Sequence, residues 1–512
     1  MRTTARFFAA SLALLAACST DKGSSGTGPA ADATASTDGI GDTKAGDTVK
    51  TDTATDTGKT DTGKVDAGKD VPVVAEDDDK IEGATEIQSG GQPVEDALEA
   101  TGDVDWYKFT GKKGDLIFLS IATAQTNDKL PFDKDTIDAV LTLYGPDKKR
   151  IAYNDDPTPR STNDSAMWSV LPADGDYYVQ VTECQTWLTA NPTGGAACAE
   201  PHDKTNTDYS LSFGVIDLSK AKSIIKDTEK GDDAASANVV PWAKGADGKY
   251  VAPLLFGTFS SATDVDVYKV TIPAELTATT KADRTVIGFE GLAGGEQGDG
   301  STADPGIAWI ASEATPTAPI AQVDLATGQL NVPLPFGQTY FLFVQHAPGG
   351  KTGANDFYII SNTAFGSNPL EKNDAGNDKP EGAEVLASQK TGSGANGFYF
   401  EGDLLKSGKD VDHFKWAVPA GDFDFYVYCG AQNEGSGLRG FKVEVLDESG
   451  AALSGGGVTE SADKGIILNK DKFVPPATAK NLMVRLTADH QDDKVSSTFY
   501  RCVVLYADKI AP

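Results

Sequence analysis

Asp103-Val-Asp-Trp-Tyr-Lys-Phe109, Asp264-Val-Asp-Val-Tyr-Lys-Val270 and Asp410-Val-Asp-His-Phe-Lys-Trp416 are one heptapeptide written three times, Asp-Val-Asp-x-aromatic-Lys-apolar. Upstream of each copy lies an acidic lead and then a short apolar stretch: Glu76 to Asp79 before Ala84 to Ile87, Glu229 to Asp232 before Asn238 to Val240, and Glu371 to Asp374 before Ala383 to Leu386. The order of parts is the same each time. A spacing of about 150 residues is too long for a solenoid repeat, so the copies mark tandem domains.

Within the first unit, Tyr107/Phe109, Leu141/Leu143, Tyr177/Val179/Val181 and Tyr209/Leu211/Phe213 alternate with other residues, which places one set on a buried strand face. Gly145-Pro-Asp and Ala173-Asp-Gly-Asp are turn signals between such runs. Comparable runs begin at Thr339 and Phe357 in the second unit and at Phe423, Phe441 and Phe499 in the third. Long amphipathic helices are missing. About seven short strands per unit argue for an all-β chain of three tandem β-sandwich or jelly-roll domains, over residues 76–217, 225–363 and 368–511.

The segment before them reads as an address. Arg2 and Arg6 precede the apolar run Phe7 to Leu14, and Ala16-Ala17 precede Cys18, so residues 1–17 have the form of a secretory signal peptide. The run is shorter than the roughly 20 residues a membrane-spanning helix needs. Residues 18–75 contain the period-five series Asp56-Thr-Gly-Lys59, Asp61-Thr-Gly-Lys64 and Asp66-Ala-Gly-Lys69, and no aromatic residue. Such a segment buries too little to order itself and reads as a flexible tether.

The chain has 45 basic and 75 acidic side chains, a formal charge of −30. Every phosphate contact needs a cation, so nucleic acid is not an expected partner, whereas divalent cations are plausible guests. No HExxH or G-x-S-x-G motif occurs, and neither Gly58-Lys-Thr60 nor Gly350-Lys-Thr352 has the glycine a phosphate loop requires. His202, His346, His413 and His490 are scattered and read as surface or half-buried residues. A pair of the many carboxylates could serve a glycosidase, but no catalytic residue is singled out and no enzyme is expected. Once Cys18 is set aside, Cys184, Cys198, Cys429 and Cys502 remain in an exported, oxidising setting. Of the three possible connectivities, pairing within domains is the simplest, with free buried thiols as the alternative.

Two resemblances add to this reading. Leu15-Ala-Ala-Cys18 resembles the lipobox of bacterial lipoproteins, which implies lipidation at Cys18; Ser19 in place of Asp favours the outer membrane. Asp103-Val-Asp-Trp-Tyr-Lys-Phe109, Asp138 to Asp156 and Gly175-Asp-Tyr-Tyr-Val-Gln-Val181 resemble the bacterial pre-peptidase C-terminal domain, also met as the collagen-binding domain of clostridial collagenases. The second unit keeps the heptapeptide and Gly337 to Val344, while the third lacks the glycine closing motif. The family implies jelly-roll-like sandwiches, usually appended to a secreted peptidase that is missing here.

By the same resemblance, Glu371, Asn373, Asp374, Asp410 and Asp412 are expected calcium donors in the third domain, with Glu76, Asp78, Asp79, Asp103 and Asp105 as a weaker copy in the first. In the second, Gly231 removes a donor and no tight site is expected. That these aspartates only cap turns is the alternative. The expected function is non-catalytic: an outer-membrane adhesion or binding lipoprotein, held by its lipid anchor, that recognises an extracellular or envelope protein or polysaccharide from the periplasmic or outer face. A structural spacer subunit of an envelope assembly is the alternative, and an unrecognised hydrolase a third.

Overall fold

A computed structural model describes residues 78–123, 137–155, 164–192, 198, 207–228, 231–244, 250–276, 284–293, 306–325, 328–347, 352, 356–365, 371, 376–387, 389–390, 396–404, 410–419, 423–461, 465–468 and 472–508. The signal peptide, the tether, Cys18, Glu76, His202, Asn373 and Asp374 lie outside the described residues.

The chain is all-β. In the first unit the strands are β1 (Thr85–Glu86), β2 (Val94–Ala97), β3 (Val104–Gly111), β4 (Asp115–Thr123), β5 (Ala139–Tyr144), β6 (Arg150–Asn154), β7 (Ala166–Val170), β8 (Gly175–Glu183) and β9 (Asp208–Asp217). They form a five-stranded sheet, β1-β3-β8-β5-β6, and a four-stranded one, β2-β9-β4-β7. Two more strands are present than the seven expected, because β1 and β2 are too short for an alternation to show. Tyr107, Phe109, Leu141, Leu143, Tyr177, Val179, Val181, Tyr209 and Leu211 all enter one core between the sheets. At about 1.5 to 3 kcal/mol for each large apolar side chain removed from water, this core is the main source of the unit's stability.

The expected turns close as expected. Gly145 and Lys149 pair across a tight turn (Gly145 N to Lys149 O, 2.9 Å). Gly175 adopts φ +147°, and a Cβ there would lie 2.8 Å from the Pro146 ring, so the two turns pack against each other only with glycine at 175.

The same strand order recurs in two further pairs of sheets, in which the second sheet gains one edge strand, Ile224–Lys226 or Gln389–Lys390, and so is five-stranded as well. Val265–Thr271 and Thr339–Gln345 are central in one sheet of the middle pair, as are Asp412–Ala417 and Asn481–Thr487 in one sheet of the third. Each pair encloses its own core, built around Tyr268, Phe289 and Leu342 in the middle and around Phe414, Trp416 and Val484 in the third.

Neighbouring sandwiches also touch. The run Leu116-Ile-Phe-Leu119 in β4 is buried on both faces. Ile117 and Leu119 enter the first core, while Leu116 and Phe118 join Trp168 and Ile216 against Ile224, Leu254, Phe357 and Ile359 of the middle sandwich. That double burial is why the run is continuously apolar rather than alternating. Middle and third sandwiches join through backbone bonds: Gln322 N to Gly435 O (2.9 Å), Gln329 N to Asn433 O (3.2 Å), Ser496 N to Pro319 O (3.0 Å) and Ser497 N to Ile320 O (3.0 Å).

Both intra-domain disulfides form, Cys184–Cys198 and Cys429–Cys502. The segment bracketed by the first disulfide opens with a helix. Cys184–Ala190 is a helix, α1, capped by the Glu183 side chain, which accepts from Gln185 N and Thr186 N. Among the described residues no helix is long and apolar enough to cross a membrane.

Candidate functional site

The second aspartate of each heptapeptide ends its strand's inward face and is buried: Asp105 and Asp266 are 1% exposed, Asp412 0%. Each accepts a hydrogen bond from a tyrosine on the strand that closes the opposite sheet. Tyr209 donates to Asp105, Tyr358 to Asp266 (2.5 Å) and Tyr500 to Asp412 (2.6 Å). Tyr358 and Tyr500 escaped the sequence reading, which placed Tyr209 on an inward face without its carboxyl partner. The available signal was a tyrosine opening each last strand: Asp208-Tyr, Phe357-Tyr and Phe499-Tyr.

A short parallel strand fixes the acidic lead. Thr85 pairs with Tyr107, Asn238 with Tyr268 and Glu384 with Phe414, always two residues past the buried aspartate. Seven places upstream of these stand Asp78, Gly231 and Asn377. The backbone agrees: Trp106 N donates to Asp78 O (3.0 Å), Val267 N to Gly231 O (2.8 Å), and the His413 ring Nδ1 meets Asn377 O (2.8 Å).

The strand register places Asn377-Asp378, rather than Asn373-Asp374, where the first unit has Asp78-Asp79; the expected donors Asn373 and Asp374 themselves lie outside the described residues. The sequence does carry the signal: Asn377-Asp-Lys-Pro-Glu-Gly-Ala383 repeats Asp78-Asp-Lys-Ile-Glu-Gly-Ala84.

In the third sandwich, Glu371, Asn377 and Asp412 meet. Asn377 Nδ2 donates to Glu371 Oε1 (2.8 Å), and Glu371 is hydrogen-bonded to Asp412. Burial, then the Glu371 carboxyl, then the Asp410 charge push Asp412 up to about 9, against the Tyr500 hydrogen bond. Asn377 Oδ1 and Asp412 Oδ1 are buried with no hydrogen-bond partner. Two buried, unanswered oxygens beside two further carboxylates form an oxygen-only donor set, the kind a hard divalent cation takes.

The first sandwich has a related corner. Asp79 and Asp103 are hydrogen-bonded, and burial pushes Asp105 up to about 8, with the charges of Asp96, Asp103 and Asp78 adding to it. Thr85 Oγ1 donates to Asp78 Oδ2 (3.2 Å), while Asp78 Oδ1 is buried without a partner. Oxygens of Glu99, Asp103 and Asp105 lie within 4.8 Å of one another. Glu99, in the turn before the heptapeptide, is a donor the sequence reading missed.

A second acidic group, Asp138 and Asp155 beside Cys184, has its sulfur committed to the disulfide, so it offers no thiolate. His346 and His413 are buried, not half-buried, and the ring Nδ1 of each meets a backbone carbonyl, that of Ala347 and of Asn377 respectively. His490 is exposed.

The outer face of the β1-β3-β8-β5-β6 sheet carries half-buried aromatic residues. Trp106 and Tyr144 lie 5.0 Å apart, Tyr144 donates to Gln180, and Lys148 Nζ sits 5.6 Å above the Tyr178 ring. Helix α1 covers the far side, where the Trp187 indole donates to Thr142 (2.9 Å). The matching face of the third sandwich is charged instead, with Arg485 bound to Glu444.

Residues 103–183 match the family described as the bacterial pre-peptidase C-terminal domain. Over 89 residues, 17% of this chain, the sequence is 34% identical to a probable subtilase-type serine protease of Deinococcus radiodurans, and the match spans 11% of that protein. Among solved structures the chain is similar to the pre-peptidase C-terminal domain of a collagenase from Bacillus anthracis, at 15% identity over 25% of this chain and 93% of that one, with a TM-score of 0.17. It is also similar to the tandem family 51 carbohydrate-binding modules of a family 98 glycoside hydrolase from Streptococcus pneumoniae, at 10% identity over 53% of this chain and 89% of that one, with a TM-score of 0.14.

Proposed function

We propose that the protein is a non-catalytic lipoprotein of the outer membrane, anchored through Cys18, whose sandwiches bind a protein or polysaccharide of the envelope or cell surface. The observation that carries the binding role is the outer sheet face of the first sandwich. Trp106, Tyr144 and Tyr178 are half-buried there, beside Lys148 and Gln180. Amphipathic rings beside hydrogen-bonding groups form a contact surface that orders at little entropic cost. This face lies in the segment that matches the family.

Calcium is the proposed cofactor. Glu371, Asn377, Asp410 and Asp412 would hold it in the third sandwich, and Asp78, Asp79, Glu99, Asp103 and Asp105 in the first. Bound calcium would cross-link the lead segment to the heptapeptide strand and neutralise carboxylates that otherwise repel one another.

The test is retention of the full-length, detergent-solubilised protein on glycan and matrix-protein arrays, comparing wild type with Trp106→Ala/Tyr178→Ala. Equal retention of both, or none by either, would remove the binding reading. A spacer role is the second reading, favoured by the apolar contact between the first two sandwiches and the backbone bonds between the last two. Crosslinking to envelope subunits that is unaffected by the aromatic substitutions would favour it.

A further inference from the structure

The middle sandwich repeats the register of the outer two but fills its corner differently. A Cβ at Gly231 would lie 2.3 Å from Asn238 Nδ2, so a side chain at 231 and the observed position of Asn238 exclude each other. Asn238 is 8% exposed and takes the space that Asp78 and Asn377 use in the outer sandwiches. Its amide orientation is fixed from both ends. Oδ1 accepts from Thr228 N (3.3 Å) and Thr228 Oγ1 (3.0 Å), while Nδ2 donates to Asp227 Oδ1 (2.7 Å). A flipped amide would set its NH2 against the Thr228 N–H and its oxygen against the Asp227 carboxylate.

The middle corner therefore holds an amide oxygen already answered by Thr228, where the outer corners present buried oxygens without partners, Asp78 Oδ1 and Asn377 Oδ1. A cation needs lone pairs, and those of the Asn238 oxygen are already taken up by Thr228 N–H and Oγ1.

We infer that Asn238 is a built-in replacement for the cation: the Gly231/Asn238 pair closes the middle corner, and calcium occupancy is confined to the first and third sandwiches. This rests on the cation reading of the outer corners. It also assigns a residue pair that decides, unit by unit, between a metal-dependent and a metal-independent corner. In the first sandwich the corresponding pair is Asp78 and Thr85, joined by a hydrogen bond (3.2 Å).

The experiment titrates calcium into metal-stripped, full-length protein in detergent, counting sites by calorimetry and following hydrogen exchange strand by strand. Wild type should bind two calcium ions, with protection gained in residues 104–111 and 412–417 and none in 265–271. Gly231→Asp/Asn238→Thr, which writes the first sandwich's pair into the middle one, should bind three and extend protection to 265–271. Calcium-dependent protection of 265–271 in wild type would overturn the inference while leaving the cation reading intact. No calcium bound anywhere would overturn both. If the double variant fails to fold, the wild-type exchange pattern alone still decides.

Discussion

Tyr500 donates its hydroxyl to Asp412 across 2.6 Å, although 88 residues separate the two. The bond ties the heptapeptide strand of one sheet to the last strand of the other, and it recurs as Tyr358 to Asp266 and Tyr209 to Asp105. The chain makes room for it. Gly402 and Gly257 lie opposite these tyrosines, and a Cβ at either would come within 2.2 Å of the phenol. In the first sandwich Asp96 takes that place and accepts from Tyr107 instead (2.6 Å). Each sandwich is thus laced across its open end by a buried phenol–carboxyl bond.

Removing that bond should cost more than its area. Tyr500→Phe deletes one oxygen, leaves Asp412 Oδ2 buried without its donor and removes the hydrogen bond that holds the Asp412 pKa down. An unsatisfied buried acceptor costs about 1–3 kcal/mol. Denaturant unfolding should therefore show a loss of that size, and calcium affinity should fall because more of Asp412 is protonated at neutral pH. An unchanged midpoint would mean the bond is absent in solution.

The disulfides should contribute unequally. The separation of 73 residues in Cys429–Cys502 corresponds to about 4 kcal/mol of lost chain entropy in the unfolded state, and the separation of 14 in Cys184–Cys198 to about 3 kcal/mol. Reduction should lower the unfolding midpoint of the third sandwich more than that of the first. Peptide mapping without reductant should recover only these two linkages, and a cross-domain pair would refute the assignment.

What could be read from the sequence, and what could not, follows from the range of the signal. Alternation within a strand is local, so the inward set from Tyr107 to Phe213 was legible, as were turns that depend on Gly145 and Gly175. The cysteine brackets were legible because each closes within one unit. The corner was only half legible. Asp105 and Asp412 lie in the heptapeptide, but their partners are set by a parallel bridge of two or three residues, too short to leave a pattern. Matching the acidic leads by composition accordingly chose Asn373, whereas the register chooses Asn377. Glu99 and the three tyrosines arrive from other strands by tertiary packing. Helix α1 was hidden because its cap, Glu183, ends a strand that reads as β throughout.

Lipidation gives the next prediction. Two or three acyl chains, at about 0.8 kcal/mol per buried methylene, hold a protein on a membrane where a single chain would not. Cys18→Ser should move the protein from the detergent phase to the aqueous phase on phase partitioning. Identical partitioning of variant and wild type would remove the anchor from the proposal.

The last prediction concerns acidity at the junction of the middle and third sandwiches. Glu290 is buried on strand Arg284–Ala293 and accepts from Gln329 Nε2 (2.7 Å), while Gln329 N reaches across to Asn433 O (3.2 Å). Burial pushes the Glu290 carboxyl up to about 7 from 4.5, and the Gln329 hydrogen bond only partly offsets it. Because the folded value lies above the unfolded one, the native state holds the extra proton between those two pH values. Stability is then highest below about pH 4.5 and declines as pH rises through about 7, by about 3 kcal/mol over the full window. Asp105, Asp412 and Glu460 are raised as well and give slopes of the same sign, so the test is a difference. Glu290→Gln keeps the shape and a partner for Gln329 but cannot ionise. Unfolding free energies of wild type and variant should converge near pH 4.5 and separate by up to about 3 kcal/mol, in favour of the variant, at pH 8. Parallel curves across that range would show that Glu290 is not buried as a neutral acid, and that the junction carries no such pH dependence.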